Sequence, residues 1–151
     1  MLRTSLNDAL KAAMRERDSA TVSTLRLILA GLKDRDIAAR PKGISTGIGD
    51  DEILQMLQAM IKQRRESIAL YQKGARQDLV DKETQEIAVI ERYLPKQMDE
   101  SAMAAAIGAV VTELGATTVK DMGRIMAELK TRYAGQMDFA KASGLVKQQL
   151  G

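Results

Sequence analysis

An all-α fold is predicted by three features of the 151-residue sequence: apolar residues recur at helical spacing, helix start and stop residues punctuate the chain, and aromatic residues are nearly absent. With one Phe, three Tyr and no Trp, the interior is left to Leu, Ile, Val, Ala and nine Met. That palette suits helices better than pleated sheets. The length permits one ordinary domain or two small ones.

The first apolar sets are Leu6, Leu10, Ala13, Met14 and then Val22, Leu25, Ile28, Leu29, Leu32. They flank a charged break from Arg15 to Asp18 and predict a helical hairpin. The stretch "RPKGISTGIG", Arg40 to Gly49, is loop chemistry and reads as a mobile connector. Asp50 and Asp51 mark the start of a long helix carrying Ile53, Leu54, Leu57, Met60, Ile61 and Ile68, and Gly74 marks its stop. Asp78 is the expected cap of a fourth helix with Leu79, Ile87 and Ile90, which ends at "YLPKQ" because proline disfavours helical backbone in the residue before it.

Composition changes after Pro95 to the alanine-rich "DESAMAAAIGAVVTEL", so the chain is divided into residues 1–95 and 96–151. In the second part Asp99 is the expected cap and Gly115 the stop of one helix. Thr118 with Asp121 resembles a capping box opening another, which Gly135 ends. Asp138 caps a last helix with Phe139, Leu145, Val146 and Leu150. Four helices are expected before Pro95 and three after it.

The absence of cysteine and histidine removes disulfides, thiolate nucleophiles and the commonest general base and metal ligand. The acids Asp50, Asp51, Glu52 and Asp78, Asp81, Glu83, Glu86 are explained by helix dipoles without a metal. In "KGISTGIGDD" the lysine precedes the glycines, which is the wrong order for a phosphate-binding loop, and Ser67 has no supporting spacing to Lys62 or Lys73. No catalytic set, metal or cofactor is expected. The N-terminus lacks a secretory apolar core and no run reaches the ~18 apolar residues of a membrane span, so a soluble cytoplasmic protein without a membrane partner is expected.

The chain has 23 basic and 20 acidic residues; residues 1–95 hold 16 and 14 of them, and residues 96–151 hold 7 and 6. Neither part is a polycation, no DNA partner is expected, and any RNA contact must rest on local arrangement. Two arrangements qualify. One is the turn Lys62, Arg64, Arg65 with Arg76 beyond it, read either as solvated charge paired with Glu66 and Asp78 or as a phosphate contact. The other is the helix of "TTVKDMGRIMAELKTRY": Val119, Met122, Ile125, Met126 and Leu129 share one stripe, and Gly123 and Ala127 lie at its edge between Lys120 and Lys130. That flank of small residues admits either a neighbouring helix, in which case Gly123→Leu overpacks and destabilises, or a phosphate backbone.

The segments "LKAAMRERDSATVSTLRLILAGLKDRDI", "IKQRRESIALYQKGARQDLVDKETQEIAVIERYLPKQM" and "GATTVKDMGRIMAELKTRYAGQMDFAKASGLVKQQL", in this order, resemble the YqeY family of small bacterial proteins. The most specific pieces are "YLPKQM" and "KDMGRIM". The C-terminal part is similar to the tail domain of GatB, the B subunit of glutamyl/aspartyl-tRNA amidotransferase. The resemblance implies a four-helix part followed by a three-helix part. It also implies a tRNA-facing role for Lys120, Gly123, Arg124 and Lys130, and for Lys141 and Lys147 of the final helix. "AGQMD" departs from the pattern, with Gln136 and Met137 where the family often has a basic and a small residue, which puts one phosphate contact in doubt.

Two functions follow as expectations. The first is a non-catalytic accessory that binds tRNA, or a tRNA-handling enzyme, through its tail-like part. The second, suggested by the family alone, is a component with carbon–nitrogen ligase activity using glutamine as amido-N-donor.

Overall fold

A computed structural model describes residues 1–151 and contains seven α-helices, two short 3-10 turns and no strand. Two compact units are present, Met1–Leu94 with four helices and Pro95–Gly151 with three.

In the first unit α1 (Leu2–Arg15) and α2 (Ser19–Ala39) form one hairpin, and α3 (Asp50–Lys73) and α4 (Gln77–Glu91) form the other. The two pack through α2 against α4, while α2 and α3 touch only lightly. Leu6, Leu25, Ile28, Ile53, Leu57 and Ile90 are fully buried at the centre. Asp18, in the charged break, caps α2 by accepting the Thr21 amide (3.2 Å) and hydroxyl (2.7 Å). These bonds to its ionised form, the hydroxyl's first, hold the Asp18 carboxyl below the usual carboxylate range.

The segment after α2 is not a free connector. Arg40–Lys42 continues as a 3-10 turn, and the rest is clamped. Arg3 of α1 donates from Nη1 and Nη2 to the two carboxylate oxygens of Asp36 of α2, at 2.6 and 3.0 Å. Asp36 also accepts the Ile48 amide at 2.9 Å, and Arg3 donates to the Ile48 carbonyl at 3.0 Å. Ile48 is thereby seated in the core, 5% exposed. Gly47 crosses the pair with φ +94, and a Cβ there would stand 2.6 Å from Arg3 Nη2. Only glycine satisfies both conditions.

The α3–α4 reversal differs from expectation in two details. Gly74 closes α3 with φ −87, but the left-handed residue is the next one, Ala75, at φ 55. Asp78 does not cap α4: Arg76 holds that position, and Asp78 in the first turn accepts its Nε and Nη2 at 3.1 and 3.0 Å. The guanidinium fork outcompetes the backbone amides for this carboxylate.

The second unit packs α5 (Glu100–Leu114), α6 (Met122–Tyr133) and α7 (Phe139–Leu150) mutually around Ile107, Val110, Ile125, Leu129 and Val146. Asp99 caps α5 through the Ala102 amide at 2.7 Å, and Gly115 ends it at φ 61. Asp138 caps α7 through the amides of Ala140 and Lys141. Gln97 donates to the Gly135 carbonyl at 2.5 Å and the Met98 amide to the Gln136 carbonyl at 2.8 Å, so "PKQM" is fastened to the α6–α7 turn. Met137 in that turn is completely buried, which makes it a core residue.

Asp36→Ala is expected to lower stability by roughly 2 kcal/mol at neutral pH, since it strands a guanidinium and an amide together. Bonding to Arg3 holds the Asp36 carboxyl below its ordinary value of 3.8, so its contribution is complete above that value and is lost as pH falls through the lower folded-state pKa. Urea titrations of both proteins at descending pH should therefore converge in strong acid. Ala75→Gly, which relieves a left-handed alanine, should raise stability by about 1 kcal/mol in the same assay.

Candidate functional site

The start of α6 is built by one carboxylate. Asp121 accepts the amides of Thr117 (3.2 Å) and Thr118 (3.5 Å), closing the capping box through a 3-10 turn, Val119–Asp121. The same side chain accepts Arg124 Nη2 at 2.9 Å, and that nitrogen lies 3.5 Å from the Leu114 carbonyl at the end of α5. The Thr117 amide and the guanidinium hold the Asp121 carboxyl below its usual range. Arg124 is therefore a strut of the α5–α6 turn.

Arg132 does the same work farther along. It joins Glu128 on its own helix, at 2.8 Å, to Glu113 of α5. The two carboxylates, Glu113 first, raise its pKa, and the Glu113 carboxyl is lowered in turn. Both arginines of the unit and three of its acids are thus spent on each other.

The lysines are not. Lys120, Lys130, Lys141 and Lys147 are exposed and make no ion pair. Gly123 and Ala127 are exposed as well, and a Cβ at Gly123 would meet nothing within 4 Å. No neighbouring helix approaches this glycine, so of the two alternatives the packing one finds no partner within the unit. Val119, placed by periodicity on the buried stripe, is 51% exposed because the 3-10 turn rotates it away from Ile125 and Leu129. The result is an open flank of small residues with a free lysine at each end, about 15 Å apart at 1.5 Å rise per residue.

The N-terminal basic cluster is taken apart. Arg64, 13% exposed, donates from Nε to Glu86 at 2.7 Å with Glu83 at 3.8 Å, bracing α3 on α4. Arg65 faces Glu91 at 3.6 Å, and Arg76 is held by Asp78. Only Lys62 is left unpaired. The acid partners are Glu83, Glu86 and Glu91 of the next helix where Glu66 was expected, because α4 runs along the same face of α3. No three carboxylates converge as a metal site, and no buried side-chain nitrogen or oxygen lacks a hydrogen-bond partner.

A two-unit helical protein with an open lysine flank on its second unit is the class these features define. A family model described as Yqey-like protein matches residues 3–150, and the chain belongs to this family. It is similar to the protein named altered inheritance of mitochondria protein 41, mitochondrial, of Kluyveromyces lactis, 36% identical over 90 residues, 59% of this chain and 46% of the relative. The protein of the same name in Lachancea thermotolerans is 31% identical over 112 residues, 73% of this chain and 58% of the relative. That of Pyrenophora tritici-repentis is 31% identical over 130 residues, 82% of this chain and 68% of the relative. The chain spans about half the length of the first of these.

With space open at its Cβ, Gly123→Ala should raise thermal stability by up to about 1 kcal/mol through helix propensity. Gly123→Leu should leave unfolding unharmed; a melting point lowered by either change would restore the packing explanation.

Proposed function

We propose that the chain is a non-catalytic accessory that binds tRNA through its C-terminal three-helix unit, a tRNA-handling enzyme being the alternative occupant of the same surface. The observation that carries this reading is the unobstructed flank Lys120, Gly123, Ala127, Lys130. A glycine in a helix costs stability relative to alanine, and here no internal contact recovers that cost. Close approach of an external backbone is a physical use for it, and the unpaired ammonium groups supply the charge that a phosphate backbone needs.

Lys141 and Lys147 on α7 extend the free positive charge, whereas Arg124 contributes to the surface through positioning α6. No single helix is long and apolar enough to cross a membrane. A cytoplasmic location accompanies this reading, although the relatives carry mitochondrial names. The ligase alternative needs a nucleotide site and a nucleophile that releases ammonia from glutamine, and no side-chain arrangement described above favours it.

Total tRNA should bind the purified chain with affinity falling steeply between about 50 and 200 mM salt. Replacing Lys120 and Lys130 together by alanine should weaken binding and reduce the salt slope by roughly two. Gly123→Leu should weaken binding while leaving the fold intact. Absence of binding at the lowest salt would end the RNA reading.

A further inference from the structure

We propose that the N-terminal unit carries a docking groove along α2 for an acidic amphipathic helix of a partner protein. The groove has two parts that meet at Leu27. One part, about 540 Å³, lies beside the α1–α2 turn and has Met14 and Val22 in its floor. The other, about 630 Å³, lies between α2 and α3, with Gly31, Met56 and Met60 in its floor. The sparse contact between α2 and α3 leaves this second part open.

α2 has more apolar residues than its core stripe needs. Leu25, Ile28 and Leu32 face inward, while Leu27, turned roughly 100 to 160° away from them on the helix, is 45% exposed, and Met14 at the end of α1 is 50% exposed. Exposed apolar side chains that share one groove differ from singly scattered ones in marking an interaction surface. Methionine suits such a floor because its flexible thioether adapts to the side chains it receives.

The rim identifies the occupant. Arg17 and Arg26 border the first part, Arg35 and Lys62 the second, and none of the four makes an ion pair. The acids on the rim are Asp34 and Glu66. Arg64 reaches the second part but is neutralised by Glu83 and Glu86, and Asp18 beside the first is spent on capping α2. Four free cations against two acids, around an apolar floor, complement a helix with an apolar stripe flanked by carboxylates. A phosphate backbone would match the cations but not the floor, and no aromatic side chain is present on which a base would stack.

The groove runs along α2 from Ser19 to Arg35, about 24 Å at 1.5 Å per residue, the length of a partner helix of about 16 residues. Occupant apolar residues recurring at i, i+3, i+4 and i+7 would form the stripe that faces the apolar floor.

The probe is a fluorescein-labelled peptide of about 16 residues with leucine at those positions and glutamate on its remaining faces, compared with its lysine counterpart on the full chain by fluorescence anisotropy. The glutamate peptide should bind at least about tenfold more tightly than the lysine peptide, and Leu27→Asp should lower that affinity about tenfold. Circular dichroism should show the Leu27→Asp protein folded, since the side chain is half exposed. Arg26→Glu should reverse the preference between the peptides. The proposal is overturned if neither peptide binds, if both bind equally, or if binding survives Leu27→Asp. Sedimentation showing a dimer of this chain that Leu27→Asp dissociates would assign the groove to self-association and would also overturn it. An RNA oligonucleotide that displaces the peptide and still binds the Leu27→Asp protein would do the same in favour of nucleic acid.

Discussion

The N-terminal unit depends on the four hydrogen bonds that join Arg3, Asp36 and Ile48. Through them the first helix, the end of the second and the entry to the third meet at one carboxylate. Because Asp36 receives a guanidinium and an amide at once, its charge is matched and its lone pairs are used, the condition under which a partly buried acid stabilises rather than costs. The constraint propagates. Ile48 fills the core only while its backbone is held, Gly47 has to be glycine to pass the pair, and α3 can begin at Asp50 only where that loop delivers it. Asp50 then returns the connection, accepting the Leu2 amide of α1.

The C-terminal unit solves the same problem with backbone groups. Its opening segment is fastened by Gln97 and by the Met98 amide to carbonyls of the α6–α7 turn, and Met137 enters the core from that turn. The short motif "YLPKQM" therefore has two halves with separate tasks. Tyr93 and Leu94 pack on the first core, and burial raises the Tyr93 pKa. Gln97 and Met98 serve the second unit. Gln136 and Met137, read from sequence as a lost phosphate contact, are occupied by this architecture: one through its carbonyl, the other as core.

What could be read from the sequence was local. The caps at Asp99 and Asp138, the box of Thr118 and Asp121 and the stop at Gly115 each involve residues within a few positions of one another, where side-chain reach decides the outcome. The helical stripes were legible because periodicity is a property of the helix itself. Arg3 with Asp36, Arg64 with Glu86 and Arg132 with Glu113 lie far apart in sequence and become neighbours only after packing. Asp78 failed as a cap because a fork two residues away competes for it. Gly123 was legible as a small residue on an edge, but whether anything stood against it depended on how α5 and α7 were arranged. In the candidate surface the lysines were visible, and their freedom was not, since that depends on which acids the arginines had taken.

The C-terminal unit divides its cations by chemistry. Its arginines, whose rigid planar groups hold two acceptors at once, brace helices against each other, and its lysines, compact charges on flexible stems, face outward. Charge that carries no structural duty can be removed without disturbing the fold. Acylation of an amine neutralises lysine and leaves guanidinium untouched, so the electrostatic face of this unit is chemically erasable while its scaffold is not.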